Sequence, residues 1–183
     1  EIMESIDDGE VFLILVDYNN FRDVSNSLTS QLLDDGYEGI LFTSDRTFEE
    51  IRQDLGYKDV DLDNLFILDV ISSNRGIQEA DDAVELVQAP TAFNDINLGF
   101  TGFYKRMESD KKFVMMDSFT SFLIYGSLKS VGNFIKKMTD KSRKRDAKFF
   151  MTAMKAQISE DTIERLMTFC DKKFDFEGEK VSF

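Results

Sequence analysis

Five segments of this chain are continuous apolar runs, with no alternation of polar and apolar residues. They are Val11-Phe12-Leu13-Ile14-Leu15-Val16, Ile40-Leu41-Phe42, Leu65-Phe66-Ile67-Leu68, Phe113-Val114-Met115-Met116 and Phe149-Phe150-Met151. A strand solvated on one face alternates, whereas a strand covered on both faces reads as an unbroken apolar run. Between these runs lie stretches with apolar residues at helical spacing, such as Phe21, Val24, Leu28 and Leu32, or Ile96, Phe100, Phe103, Tyr104 and Met107. Strands are expected at 11–17, 39–43, 65–70, 112–117, 147–153 and 173–177, and helices at 21–35, 48–55, 92–107, 121–140 and 160–170. Such alternation predicts a three-layer α/β fold with a mostly parallel sheet and helices on both faces. The 183 residues suffice for one domain, 1–183.

Local signals punctuate the scheme. Thr47 with Glu50 fits a capping box, Gly36 stops the first helix, and Ser159 before Glu160 and Asp161 starts the last one. The end of the chain reads as a hairpin around Gly178. Residues 72–91 hold the sole proline, Pro90, and an acidic stretch at 79–85, and are expected to form a loop or mobile insertion.

Composition removes several chemistries. The chain has no histidine and one cysteine, Cys170, which excludes Ser-His and Cys-His nucleophiles, thiolate metal cages and internal disulfides. A formal charge of −13 argues against general binding to nucleic acid. Lysines outnumber arginines, which runs against a salt-adapted surface. No run reaches the ~18 apolar residues of a membrane span, and no signal peptide is visible, so a cytoplasmic protein without membrane contact is expected.

The segment that follows the first strand carries the main functional information. It reads Asp17-Tyr18-Asn19-Asn20-Phe21-Arg22-Asp23-Val24, with no glycine or lysine between Val16 and Leu28. A phosphate loop needs glycines to turn backbone N–H groups inward, a lysine for the β- and γ-phosphates and a Ser/Thr for magnesium. Arg22, at the start of the first helix, is the residue there suited to an anion. Lys112 to Ser118 is an apolar strand ending in Asp117-Ser118, a position where an ATPase holds magnesium through water. Ser44 and Asp45 follow the second strand, where a carboxylate can act as a general base; they also suit a polar turn before the capping box. A parallel sheet places Asp17, Ser44, Asp45, Asp117 and Ser118 along one rim, with Thr152 nearby. The basic residues Lys141, Arg143, Lys144 and Arg145 end the fourth helix and suit either the helix dipole or an acidic partner. A phosphoacceptor receiver domain is a rival reading, but Asp17 lacks the adjacent acid it needs.

These segments, in this order, resemble the RecA-like ATPase domains of the KaiC family, in particular archaeal members without a phosphate loop. The resemblance rests on the opening strand and helix, residues 39–51, 62–72 and 112–125, and the terminal hairpin. It implies a RecA-like sheet with Asp117 at the Walker B position and Asp45 where the family carries catalytic acids. The departure at 17–24 implies a pseudo-ATPase: a regulatory or scaffold protein, in signalling, that acts through a protein partner or a homo-oligomer and uses no cofactor. The alternative it leaves open is an atypical Mg-ATP enzyme in which Asp117 holds the metal and Asp45 is the catalytic carboxylate, acting as a base, with Arg22, Ser44 and Ser118 around the nucleotide.

Overall fold

The computed structural model describes residues 6–58 and 60–176. Its strands are β1 (Val11–Val16), β2 (Glu38–Thr43), β3 (Leu65–Asp69), β4 (Val84–Leu86), β5 (Lys112–Asp117), β6 (Lys148–Met154) and β7 (Lys172–Phe176). They form one seven-stranded sheet in the order β4-β3-β2-β5-β6-β1-β7, and every pairing is parallel. The helices are α1 (Phe21–Asp34), α2 (Phe48–Gly56), α3 (Phe93–Arg106), α4 (Phe119–Tyr125), α5 (Leu128–Arg143) and α6 (Glu160–Leu166).

The pleat explains the apolar runs. Along β1, Val11, Leu13 and Leu15 join the core beneath α3 to α6, while Phe12, Ile14 and Val16 join the core beneath α1 and α2. Both faces are covered, so no position in the run tolerates a polar residue. A close approach fixes Gly39 on β2: a Cβ there would lie 2.1 Å from Cζ of Phe113, its register partner on β5. The Phe113 ring takes the space that a side chain on β2 would need.

The caps fall where expected. Thr47 and Glu50 form a reciprocal capping box, Ser159 accepts from the Thr162 N–H, and Gly36 adopts φ +81° after α1.

Two expectations change. The single helix expected at 121–140 is two helices, because Gly126 is extended and the Ser127 side chain caps α5 at Ser130 N–H. The 72–91 segment is not a loose insertion. It contains a short 3-10 turn and the edge strand β4, tied to β3 by Ile67 N–H to Ala83 O and Val87 N–H to Asp69 O, both 2.8 Å. Its acidic stretch is anchored by Arg52, whose guanidinium forks onto Asp81. The strand expected at 173–177 is present as β7 and pairs parallel with β1. The rest of the expected hairpin, 177–183, lies outside the described residues.

The chain passes from β1 to β2, adds β3 and β4 outward, and then inserts β5 and β6 between β2 and β1. That reversal opens a crevice beyond the carboxyl ends of the strands, the usual place for a ligand in such sheets.

Candidate functional site: a buried charge cluster under the carboxyl rim

The turn after β2 folds inward rather than out. The Thr43 hydroxyl donates to Arg46 O, and the Ser44 hydroxyl donates to Ser118 O at 3.2 Å across to β5. This places Arg46 inside the protein, at 0% exposure, among the largest fully buried side chains. Its Nη2 and Nε donate to Asp117 Oδ2 at 2.5 and 3.2 Å, and its Nη1 donates to Asn26 Oδ1 at 2.9 Å and Asp54 Oδ2 at 2.8 Å. A buried guanidinium is tolerable only when paired and hydrogen-bonded in this way. Burial alone would lower the Arg46 pKa, but the charge of Asp117 and hydrogen bonds to Asp117 and Asp54 outweigh it and raise it.

Asp117 is fully buried at the end of β5. Its Oδ2 is engaged by Arg46, while its Oδ1 has no hydrogen-bond partner; Oδ1 of Asp45 is likewise buried without one. Burial, and then the neighbouring Asp117 charge, push the Asp45 carboxyl up to about 6, against the opposing pull of Arg46 and Arg22. Ser118 sits in the left-handed region at φ 67°, a strained choice for a residue with a Cβ. The strain is held by its N–H donating to Thr152 Oγ1 at 3.0 Å and its hydroxyl contacting that of Ser121 at 2.5 Å.

Above the cluster is a cleft of about 410 Å³, lined by Tyr18, Asn19, Phe21, Arg22, Asp23, Asp45 and Met154. The segment after β1 makes one 3-10 turn, Tyr18–Asn20, and enters α1 directly. Phe21 is buried and anchors the turn, whereas Tyr18 is 77% exposed. The rim therefore brings Arg22, Ser44, Asp45, Asp117, Ser118 and Thr152 into one region, with Arg22 and Asp45 facing the cleft and Asp117 sealed beneath it.

The basic stretch is dispersed by contrast. The Lys141 ammonium reaches Asn97 and Thr101 on α3. Arg143 pairs with Asp171 at 2.7 Å and donates to Gly9 O and Phe169 O. Arg145 lies over the Tyr104 ring, 4.7 Å from its centroid. Lys144 caps the end of α5 and is exposed.

Two buried polar residues escaped sequence reasoning. Arg46 looked like part of a surface turn, and nothing in Ser44-Asp45-Arg46-Thr47 distinguishes an inward arginine from an outward one. Asp69 ends β3 as Asp117 ends β5, and a strand-terminal acid was the available signal. Its carboxylate accepts from Phe48 N–H, Ile71 N–H, Ser72 N–H and the Ser72 hydroxyl, so it stitches α2 to the turn after β3. Among the described residues, no group of three or more His, Cys, Asp or Glu is placed to hold a metal ion. Nor is any described helix long and apolar enough to cross a membrane.

The all-parallel sheet, the helices on both faces and the acid-bearing carboxyl rim define a RecA-like α/β frame. Many solved structures share it, and three of them illustrate the likeness. A KaiC-like protein from the archaeon Pyrococcus horikoshii superposes with TM-score 0.64 at 10% identity, covering 96% of this chain and 75% of that one. An uncharacterised protein from the same organism, crystallised with an unknown peptide, gives 0.66 at 13% identity, covering 93% and 78%. The flagellar accessory protein FlaH of Methanocaldococcus jannaschii gives 0.66 at 12% identity, covering 100% and 79%. At such identities the likeness establishes the fold alone. The chain itself belongs to a protein family of unknown function, DUF7090, whose profile matches residues 3–181. No curated protein matches it.

Proposed function

We propose that this chain is a non-catalytic regulatory or scaffold protein, a cytoplasmic signalling component that uses a RecA-like frame for protein contacts. The observation that carries the reading is the Arg46–Asp117 pair. In an ATPase the strand-end acid faces magnesium; here Asp117 is 0% exposed and its Oδ2 takes two hydrogen bonds from an internal guanidinium. A metal would have to reach a carboxylate that is sealed from solvent and already paired through Oδ2 with a cation. The turn at Tyr18–Asn20 brings neither the glycines nor the lysine that a triphosphate requires. Magnesium-nucleotide therefore does not fit the residues present. A role in protein contacts is in keeping with the peptide bound to the Pyrococcus protein of like fold.

The competing reading, an atypical ATPase, draws on Asp45: a carboxyl with a pKa of about 6 beside a cleft containing Arg22 is poised as a base near neutrality. Calorimetric titration with Mg-ATP separates the two. The regulatory reading expects no heat of binding. Micromolar binding that is lost on Arg22→Ala or Asp45→Asn would overturn it. Those positions are better probes than Asp117, whose removal strands Arg46 in the core.

A further inference from the structure

A second concavity lies away from the carboxyl-rim cluster, between α5 and the end of α6. It is a groove of about 450 Å³. Its floor is apolar, formed by Leu128, Leu166 and Phe169 together with the bare backbone of Gly132. Its rim is cationic, formed by Lys129, Lys136 and Arg165, and among the described residues no carboxylate lines it. Lys136 and Arg165 do pair with Asp140 and Asp161 on their own helices. Both are exposed pairs one helical turn apart, of the kind an incoming carboxylate exchanges at little cost.

Gly132 adds an independent indication. It sits in the middle of a 16-residue helix, where glycine weakens the helix relative to alanine. A Cβ there would meet nothing within 4 Å, so no packing among the described residues requires a glycine. Gly39 is the contrast, because the Phe113 ring fills its space. What the absent side chain of Gly132 leaves open is the floor of the groove.

We propose that the α5–α6 groove docks an acidic amphipathic segment of a partner protein, with apolar side chains seated on the Leu128–Gly132–Phe169 floor and flanking carboxylates on Lys129, Lys136 and Arg165. Charge selects this occupant. On a chain of net charge −13 an acidic ligand is repelled by most of the surface and steered to the cationic rim. A second copy of the chain carries the same −13 and repels the first. Single-stranded nucleic acid would want a longer basic track and a row of aromatic side chains to stack on, and the floor offers one ring, Phe169. The proposal rests on the reading that the chain works through protein contacts, and it says where one contact is made and with what chemistry.

The test uses the full chain and two labelled synthetic helical peptides. One has leucines on one face and glutamates on the other; its twin has lysines in place of the glutamates. Fluorescence anisotropy should show saturable binding of the glutamate peptide that weakens with added salt. Gly132→Leu, whose Cβ has open space and whose longer side chain occupies the groove, and Lys129→Glu should each weaken it by roughly tenfold or more. Binding of the lysine peptide, if any, should be indifferent to Gly132→Leu. The proposal is overturned if the glutamate peptide does not bind, or if it binds Gly132→Leu as well as the natural chain. It is equally overturned if sedimentation shows a dimer that Gly132→Leu dissociates, because a second copy then occupies the groove. Circular dichroism of Gly132→Ala and Gly132→Leu, both expected to be at least as stable as the natural chain, guards against misfolding. Mg-ATP calorimetry run in parallel keeps the two readings apart: nucleotide binding sinks the non-catalytic reading whatever the peptides do, and peptide failure alone sinks only the groove.

Discussion

Replacing Arg46 by methionine keeps much of the side-chain volume and removes every hydrogen bond the guanidinium makes. Asp117, at 0% exposure, would then be buried with no partner on either oxygen, since its Oδ1 already has none. Stranding one member of a buried ion pair costs about 3–5 kcal/mol. Asn26, 7% exposed, loses a donor worth about 1 kcal/mol. The Asp54 side chain is 30% exposed and turns to water at little cost. The expected loss is roughly 4–6 kcal/mol, a large part of the ~5–15 kcal/mol available to a domain. The chain has no tryptophan, so urea unfolding is best followed by far-UV circular dichroism. The double variant Arg46→Met/Asp117→Leu replaces both charges with apolar groups and should recover to within about 1–2 kcal/mol of the natural chain. A loss under ~1 kcal/mol for Arg46→Met, or a double variant as unstable as the two single losses combined, would refute the view that mutual charge compensation holds this pair in the core.

Other outcomes follow from the same geometry. The Asp45 carboxyl, raised to about 6 in the folded state, binds its proton more tightly than in the unfolded chain. Its contribution to stability is therefore complete below about pH 4 and lost as pH rises through about 6. Asp45→Asn should be more stable than the natural chain at pH 7, by on the order of 2 kcal/mol, with the advantage gone at pH 4; parallel urea curves at both pH values that show no such convergence would contradict it. Gly39→Ala should cost about 1–3 kcal/mol by driving a methyl group into the Phe113 ring, and Phe113→Leu in the same chain should return part of that loss in thermal melts. A Gly39→Ala protein as stable as the natural one would mean that the ring moves freely.

The architecture was largely legible. The apolar runs at Val11–Val16 and in β5 demanded burial on both faces, and with the helical spacing between them they left a parallel three-layer sheet as the economical arrangement. The caps at Thr47 and Ser159 were legible too, because a cap is a contact between residues a few positions apart. The split between α4 and α5 was present in Gly126-Ser127 but was masked by helical periodicity on either side. Strand β4 is only three residues long, Val84–Leu86, and exists because β3 offers it an edge; so short a segment carries too few positions for alternation to register.

The sequence by itself therefore determined the class of fold, the parallel sheet and the placement of Asp45 and Asp117 on a common rim, because each follows from periodicity and chain direction. It also shows that residues 17–24 contain no glycine and no lysine. Only the tertiary structure decided what Asp117 does there. Arg46 comes from the turn after β2, Asn26 from α1, Asp54 from α2 and Asp117 from β5. Their association depends on which way one surface-like turn folds, a choice made by hydrogen bonds between residues 73 and 74 positions apart, Ser44 to Asp117 and Ser118. Local sequence carries no trace of a contact at that separation. An arginine whose charge is compensated across the sheet is chemically the same residue as one in solvent until the strands are assembled around it.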